Sequence, residues 1–202
     1  MAHANWLSLS KDSGSGNDTV NVSAIANNTG RNVRSTNVTF KAVGCTDVVR
    51  IVNQAGKPEF GTFNSGTAAA AKTGQTLTLS GTSNSKNLTF TKSNDSIGLT
   101  IPANYTAAGM TTANGADISG DPGASSEYAW SIPFTVPANT GTSEKTCQIV
   151  VTDDGGHTST CTITLAAGDA TLSVSPASVD IPWDGSTSAQ FTVTSNTNWT
   201  VE

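Results

Sequence analysis

The chain repeats itself at a spacing of 111–112 residues, and that period constrains the fold more than any local propensity does. Asn28-Thr29-Gly30 returns as Asn139-Thr140-Gly141, and Gln54-Ala55-Gly56 returns as Ala166-Ala167-Gly168. Thr82-Ser83-Asn84 returns as Thr194-Ser195-Asn196, just ahead of two related phrases, Asn87-Leu88-Thr89-Phe90 and Asn198-Trp199-Thr200-Val201. A third version of that phrase, Asn5-Trp6-Leu7-Ser8-Leu9, opens the chain. The matches are short but keep their order and spacing, so the chain reads as an array of related units. On this phase residues 57–168 are one whole unit, residues 1–56 are a unit without its two leading strands, and residues 169–202 are the leading strands of a further unit. The whole unit also carries an insert of about 29 residues between Thr91 and Trp130.

Local chemistry says what each unit is made of. Only 12% of the residues are charged, Gly occurs 19 times, and Val, Ile and Leu come in short alternating runs among Thr, Ser and Asn. That is the composition of an all-β, turn-rich protein with a neutral polar outer face. In the first unit, strands are expected over 6–10, 19–24, 35–43 and 48–53. The spacers between them are rich in Asp, Asn, Ser and Gly, which take positive φ or bond their own backbone. Thr67-Ala-Ala-Ala-Ala-Lys72 is the nearest approach to a helix and is too short to stand alone. Trp6, Leu88 and Trp199 hold the same inward position in three units and are expected in the core.

Charge and length exclude several classes of function. The net charge of −5 comes with no Lys/Arg cluster to displace phosphate counterions, so no nucleic-acid partner is expected. No apolar run approaches the ~20 residues of a spanning helix, so no membrane insertion is expected. Met1-Ala2-His3-Ala4 leads straight into a strand without a secretory leader. No HExxH, GxSxG or P-loop spacing occurs, and the acidic residues lie mostly in turns. We therefore expect no enzyme activity, no catalytic residues, no cofactor and no bound metal.

The first unit has a recognisable shape. A Trp strand is followed by Gly16-Asn-Asp-Thr-Val-Asn-Val22, by Asn27-Asn-Thr-Gly-Arg-Asn-Val-Arg-Ser-Thr-Asn-Val-Thr-Phe40, and by Val49-Arg-Ile-Val-Asn-Gln-Ala-Gly56. This resembles the BACON family (Bacteroidetes-associated carbohydrate-binding, often N-terminal). The tail, from Leu172-Ser-Val-Ser-Pro-Ala-Ser-Val179 to Ser195-Asn-Thr-Asn-Trp199, resembles that family's opening strands. The middle unit fits as a divergent member, with Leu88 for the Trp and Lys145 where Arg34 stands. The resemblance implies tandem immunoglobulin-like antiparallel β-sandwiches of about seven strands. It also implies one of two settings: secreted and surface proteins of gut Bacteroidetes, or virions of phages that infect those bacteria.

Four groups of side chains invite a chemical role. Tyr105, Tyr128 and Trp130 in and beside the insert could stack on sugar rings, against packing of Trp130 at the head of a strand over 130–136. Asp117 and Asp121 in the Gly-rich insert could hold calcium, against ordinary turn chemistry. His3 and His157 are the two histidines, and the second sits in the Asp153-Asp-Gly-Gly-His157 turn as a solvated turn residue. Cys147 and Cys161 flank that turn. They read as a cross-strand disulfide in an oxidising compartment or, preferably, as two buried thiols, with Cys45 on the surface.

Two functions follow from different classes. One is a non-catalytic structural or adhesive protein on the virion surface of a phage infecting gut Bacteroidetes, its partners other virion proteins or copies of itself. In that reading the tail of one chain could complete the head of another by strand addition. The plainer alternative is that 169–202 begin the next unit of an array, and the duplicated Trp phrase favours it. The second function is an extracellular or cell-surface module that binds host-surface or mucin glycans.

Overall fold

The computed structural model describes residues 4–202, so His3 lies outside the described residues. The fold is all-β. Fifteen strands are described, with a single 3-10 turn at Pro122–Ala124. They fall into three groups along the chain.

The first group is two hairpins. β1 (Leu7–Leu9) pairs antiparallel with β2 (Val22–Ala24), and β3 (Arg34–Phe40) pairs with β4 (Val48–Gln54). A small core of Trp6, Leu7 and Val38 joins them, with Ala4, Leu9 and Val52 packed against it. Trp6 is 8% exposed, and the Arg34 guanidinium lies over its ring at 4.7 Å. A cation over an indole face attracts it and screens the ring from water.

The second group is a two-sheet sandwich. One sheet has the order β10 (Met110–Ala113), β9 (Asn104–Ala107), β11 (Tyr128–Val136), β7 (Gln75–Ser83), β5 (Gly61–Phe63). The other has the order β6 (Thr67–Ala70), β13 (Thr158–Leu165), β12 (Lys145–Asp153), β8 (Leu88–Ser93). All pairings are antiparallel except β6 with β13. Period-two alternation builds the sandwich. Tyr128, Trp130, Ile132, Phe134 and Val136 face inward along β11, and Cys147, Ile149, Val151 and Asp153 do so along β12. Pro133 lies beyond the end of the β9 pairing, where a missing N–H costs no ladder bond on that side. The third group is the hairpin of β14 (Leu172–Ser175) and β15 (Thr192–Ser195), exposed along β14.

The structure refines the repeat. Arg34 pairs with Gln54 and Lys145 with Leu165, so both hairpin strands recur at 111 residues. Gly61 pairs with Ser83 and Leu172 with Ser195, so β5 recurs at 111 and β7 at 112. The sequence match of Gln54-Ala55-Gly56 with Ala166-Ala167-Gly168 is therefore one residue out of register. Backbone pairing sets the register, and it differs by one residue from side-chain identity here.

One further expectation is corrected. Trp199 is 49% exposed and lies in no strand, because the tail hairpin ends at Ser195 and brings no facing sheet over the ring. Thr67–Ala70 is a strand, held by parallel pairing to β13 from Thr162↔Thr67 to Leu165↔Ala70.

The cysteines are free. Cys147 pairs with Ile163 and Cys161 with Ile149, so the two buried thiols are diagonal neighbours and not opposed across the hairpin. Desolvation, with Asp95 nearby, pushes the Cys147 thiol up to about 11, and burial raises Cys161 as well. The thiolate is the nucleophile, so both are inert near neutrality. A thiol reagent at pH 8 is expected to label one cysteine in the native protein, the exposed Cys45, and three in denaturant. Rapid labelling of two or three in native protein would contradict this core. The sign of the linkage is alkaline: the stability from keeping Cys147 protonated is complete below the free-thiol value of 9.0 and lost as pH rises through about 11.

Candidate functional site

A cleft lies in the first unit, between the loop that joins β1 to β2 and the inner face of β3. Its volume is about 610 Å³, with Leu9, Val20, Val38 and Phe40 as its apolar lining and Lys11, Asp18 and Lys41 among its charged groups. The loop is shaped by local bonds. Ser10 donates its N–H to the Asn21 carbonyl at 2.9 Å, and the Asn21 N–H returns to Ser10 Oγ at 2.9 Å. Gly16, at φ 67, makes the turn that brings Asp18 back toward Lys11.

Lys11 Nζ then bonds both oxygens of Asp18 at 2.8 Å, and the Thr19 N–H bonds Asp18 Oδ1 at 2.7 Å. The Lys11 bond, reinforced by the Thr19 amide, holds the Asp18 carboxyl below its ordinary range, so it stays ionised near neutrality. The ion pair is open to water and contributes little to stability. Its consequence is local chemistry: an amphipathic cleft with a fixed carboxylate, an ammonium and one aromatic, Phe40, which is 43% exposed. Such a mix of apolar and polar lining suits a small polar ligand.

The proposed aromatic platform is not a surface. Tyr105, Tyr128 and Trp130 are buried in the core of the sandwich. Phe90 meets Tyr105 and Trp130 edge-on at 5.1 Å, and Phe63 meets Trp130 at the same distance. The phenol of Tyr105 accepts the Leu88 N–H at 3.2 Å, and that of Tyr128 donates to the Ser85 carbonyl at 2.8 Å. The reason is alternation: the insert supplies β9, whose inward residues Tyr105 and Ala107 extend the core sheet beside β11. No sugar ring can reach these faces in the folded chain. Trp6 and Leu88 are buried at their repeat position, and Trp199 is not.

The acidic residues of the insert have partners of their own. Asp121 is clasped by the Arg31 guanidinium, with Nη1 to Oδ1 at 2.7 Å and Nη2 on Oδ2. Asp117 accepts from Asn87 Nδ2 at 3.1 Å and faces Lys86 at 3.5 Å. Among the described residues no group of three or more His, Cys, Asp or Glu side chains converges as a metal site would. His157 closes its turn on the buried Asp153 carboxylate: its backbone N–H bonds Oδ1 at 2.8 Å, and Nδ1 lies 3.0 Å from Oδ2. No helix among the described residues is long and apolar enough to cross a membrane.

The cleft residues were missed by sequence reasoning because residues 11–18 carry the signature of a plain turn. The only available signal was Lys11 seven residues before Asp18, an unusual pairing of charges in a chain so poor in them. The cleft also falls inside the segment that comparison with known proteins picks out. The BACON family model, described as "Putative binding domain, N-terminal", matches residues 1–55. Residues 1–55 are a BACON match. The residues of the cleft, from Leu9 to Lys41, all lie inside the BACON segment.

Among solved structures, the chain is similar to an endo-fucoidan hydrolase from glycoside hydrolase family 107, at 16% identity and a TM-score of 0.31. That likeness covers 82% of this chain and 22% of the hydrolase chain, and at that score it carries no functional argument. No curated protein matches the sequence.

Proposed function

We propose that the chain is a non-catalytic display and adhesion protein. In this reading a row of BACON-like units sits on the virion surface of a phage infecting gut Bacteroidetes, in contact with other virion proteins or with copies of itself. The observation that carries this reading is the recurrence of one sheet register and one set of boundary hydrogen bonds through successive units. A serial array suits reach and presentation, where a single catalytic centre would not need it. The virion setting is tested by mass spectrometry of gradient-purified particles. Peptides of this chain at structural-protein abundance are expected, and their absence from pure particles would overturn the setting.

The cleft in the BACON segment favours a second reading, an extracellular module that binds host-surface or mucin glycans. Its apolar floor with the Lys11–Asp18 pair and Phe40 supports binding of a small polar ligand. On a mucin-glycan array this reading expects binding that Phe40→Ala or Asp18→Ala lowers at least tenfold, roughly the loss of one good contact. Binding that persists in both variants, or none in the parent, would dispose of the cleft as a glycan site. Incubation with the bound polysaccharide is expected to release no new reducing ends.

A further inference from the structure

The insert of the second unit has an occupation that neither sugar nor calcium supplies. At the boundary after Gly56 its 3-10 turn lies against the loop 28–32 of the first unit. The Arg31 and Asn32 backbone N–H groups each donate across the boundary at 3.0 Å, to the Gly123 and Ala124 carbonyls. The Glu127 N–H donates to Thr29 Oγ1 at 3.2 Å, and Lys57 pairs with Glu127 at 2.8 Å. Arg31 holds Asp121 and also donates to the Asn84 carbonyl at 3.1 Å. Two glycines permit the approach: a Cβ on Gly30 would overlap the Ser125 backbone, and one on Gly123 would overlap the Asn84 carbonyl.

The next boundary has the same underlying latch without the insert. Asn84 Nδ2 bonds the Thr29 and Pro58 carbonyls, while Asn196 Nδ2 bonds the Thr140 and Asp169 carbonyls, each 111 residues on. Asn84 Oδ1 accepts the Phe60 N–H, and Asn196 Oδ1 accepts that of Thr171. Asn28 and Asn139 brace the loop of the preceding unit in matching fashion, through the Asn32 and Ala55 carbonyls and the Ser143 and Ala166 carbonyls. Thr142 stands where Arg31 does, and among the described residues no carbonyl receives the amides of Thr142 and Ser143. A Cβ on Gly141 would meet only Asn139 Oδ1, at 3.5 Å.

We infer that the insert is an inter-unit clamp: it locks the first boundary of the array, and the second, held by the Asn latch and the exposed Lys72–Asp169 ion pair without an insert, is the joint about which the array bends. The inference goes beyond the display reading and stands or falls separately, because its readout is motion within the isolated chain. Amide exchange of the intact 202-residue chain by NMR reads it directly. The Arg31 and Asn32 amides are expected to be protected, and those of Thr142 and Ser143 to exchange freely. Asp121→Asn, which keeps a residue that tolerates the positive φ of 43, is expected to speed Arg31 and Asn32 exchange by on the order of tenfold. Gly30→Ala is expected to do the same by steric eviction of the insert, while Gly141→Ala leaves exchange unchanged. The amides of Ile149 and Ile163 in the core report that each variant is folded. Equal exchange at the two loops in the parent chain, or no change at Arg31 and Asn32 in both Asp121→Asn and Gly30→Ala, would overturn the clamp.

Discussion

Truncation of Trp130 to alanine is expected to lower the unfolding free energy of the sandwich by about 3–5 kcal/mol, read from the shift of its urea transition by circular dichroism. The ring is 2% exposed and lies edge-on to both Phe63 and Phe90. Gly81 gives it room: a Cβ there would overlap the indole, so the opposing strand has no side chain that could refill the gap. A large cavity with no neighbour free to collapse into it sits at the upper end of the range. Trp130→Phe separates two contributions. The indole N–H finds no partner, and an unpaired buried donor is costly. Phenylalanine removes that donor with the smaller part of the volume, so it is expected to cost about 1–2 kcal/mol. If Trp130→Ala shifts the transition no more than a surface substitution does, the ring is not part of this core. If glycan binding changes in Trp130→Phe while stability does not, its role is at a surface.

Sequence carried the plan of this chain further than its surfaces. Repetition fixed the placement of Trp6 and Leu88 in the core, because an inward position in one unit is inward in its copies once a facing sheet is present. The same logic misplaced Trp199, whose hairpin has no partner sheet to bury it. The aromatics of the insert were ambiguous for a related reason. Tyr and Trp are amphipathic, and only the pairing of β9 with β11 decides that Tyr105 points inward. The cleft and the clamp were illegible because each joins residues distant in sequence through backbone groups. Arg31 and Asp121 are 90 residues apart, and nothing in either neighbourhood announces the other. The recurrent Asn-Thr-Gly and Thr-Ser-Asn phrases were visible as repeats, but their use as boundary hydrogen bonds depends on carbonyls that carry no side-chain signature.

Those phrases make a sharper prediction than the core does, because one chemical change can be made at two burials. Asn84 is fully buried, and its amide serves the Lys57 carbonyl at 3.1 Å, that of Pro58 at 3.3 Å and that of Thr29 at 3.4 Å. Its oxygen accepts the Phe60 N–H at 3.0 Å. Asn84→Ala strands that donor and those acceptors away from water, and is expected to cost about 2–4 kcal/mol as a loss of unfolding free energy in urea. Asn84→Asp is expected to be worse, since it turns a donor facing three carbonyls into an anion facing them. It should recover in part at low pH, where the carboxyl is protonated and can donate again. The matched change Asn196→Ala removes equivalent bonds to the Thr140 and Asp169 carbonyls at an exposed boundary. Water replaces the lost partners there, so less than about 1 kcal/mol is expected. The difference between the two alanine variants isolates the cost of burying the latch from the bonds themselves. Equal costs would mean that the first boundary admits water, and its clamp would then have to hold by the Arg31–Asp121 pair, which high salt weakens.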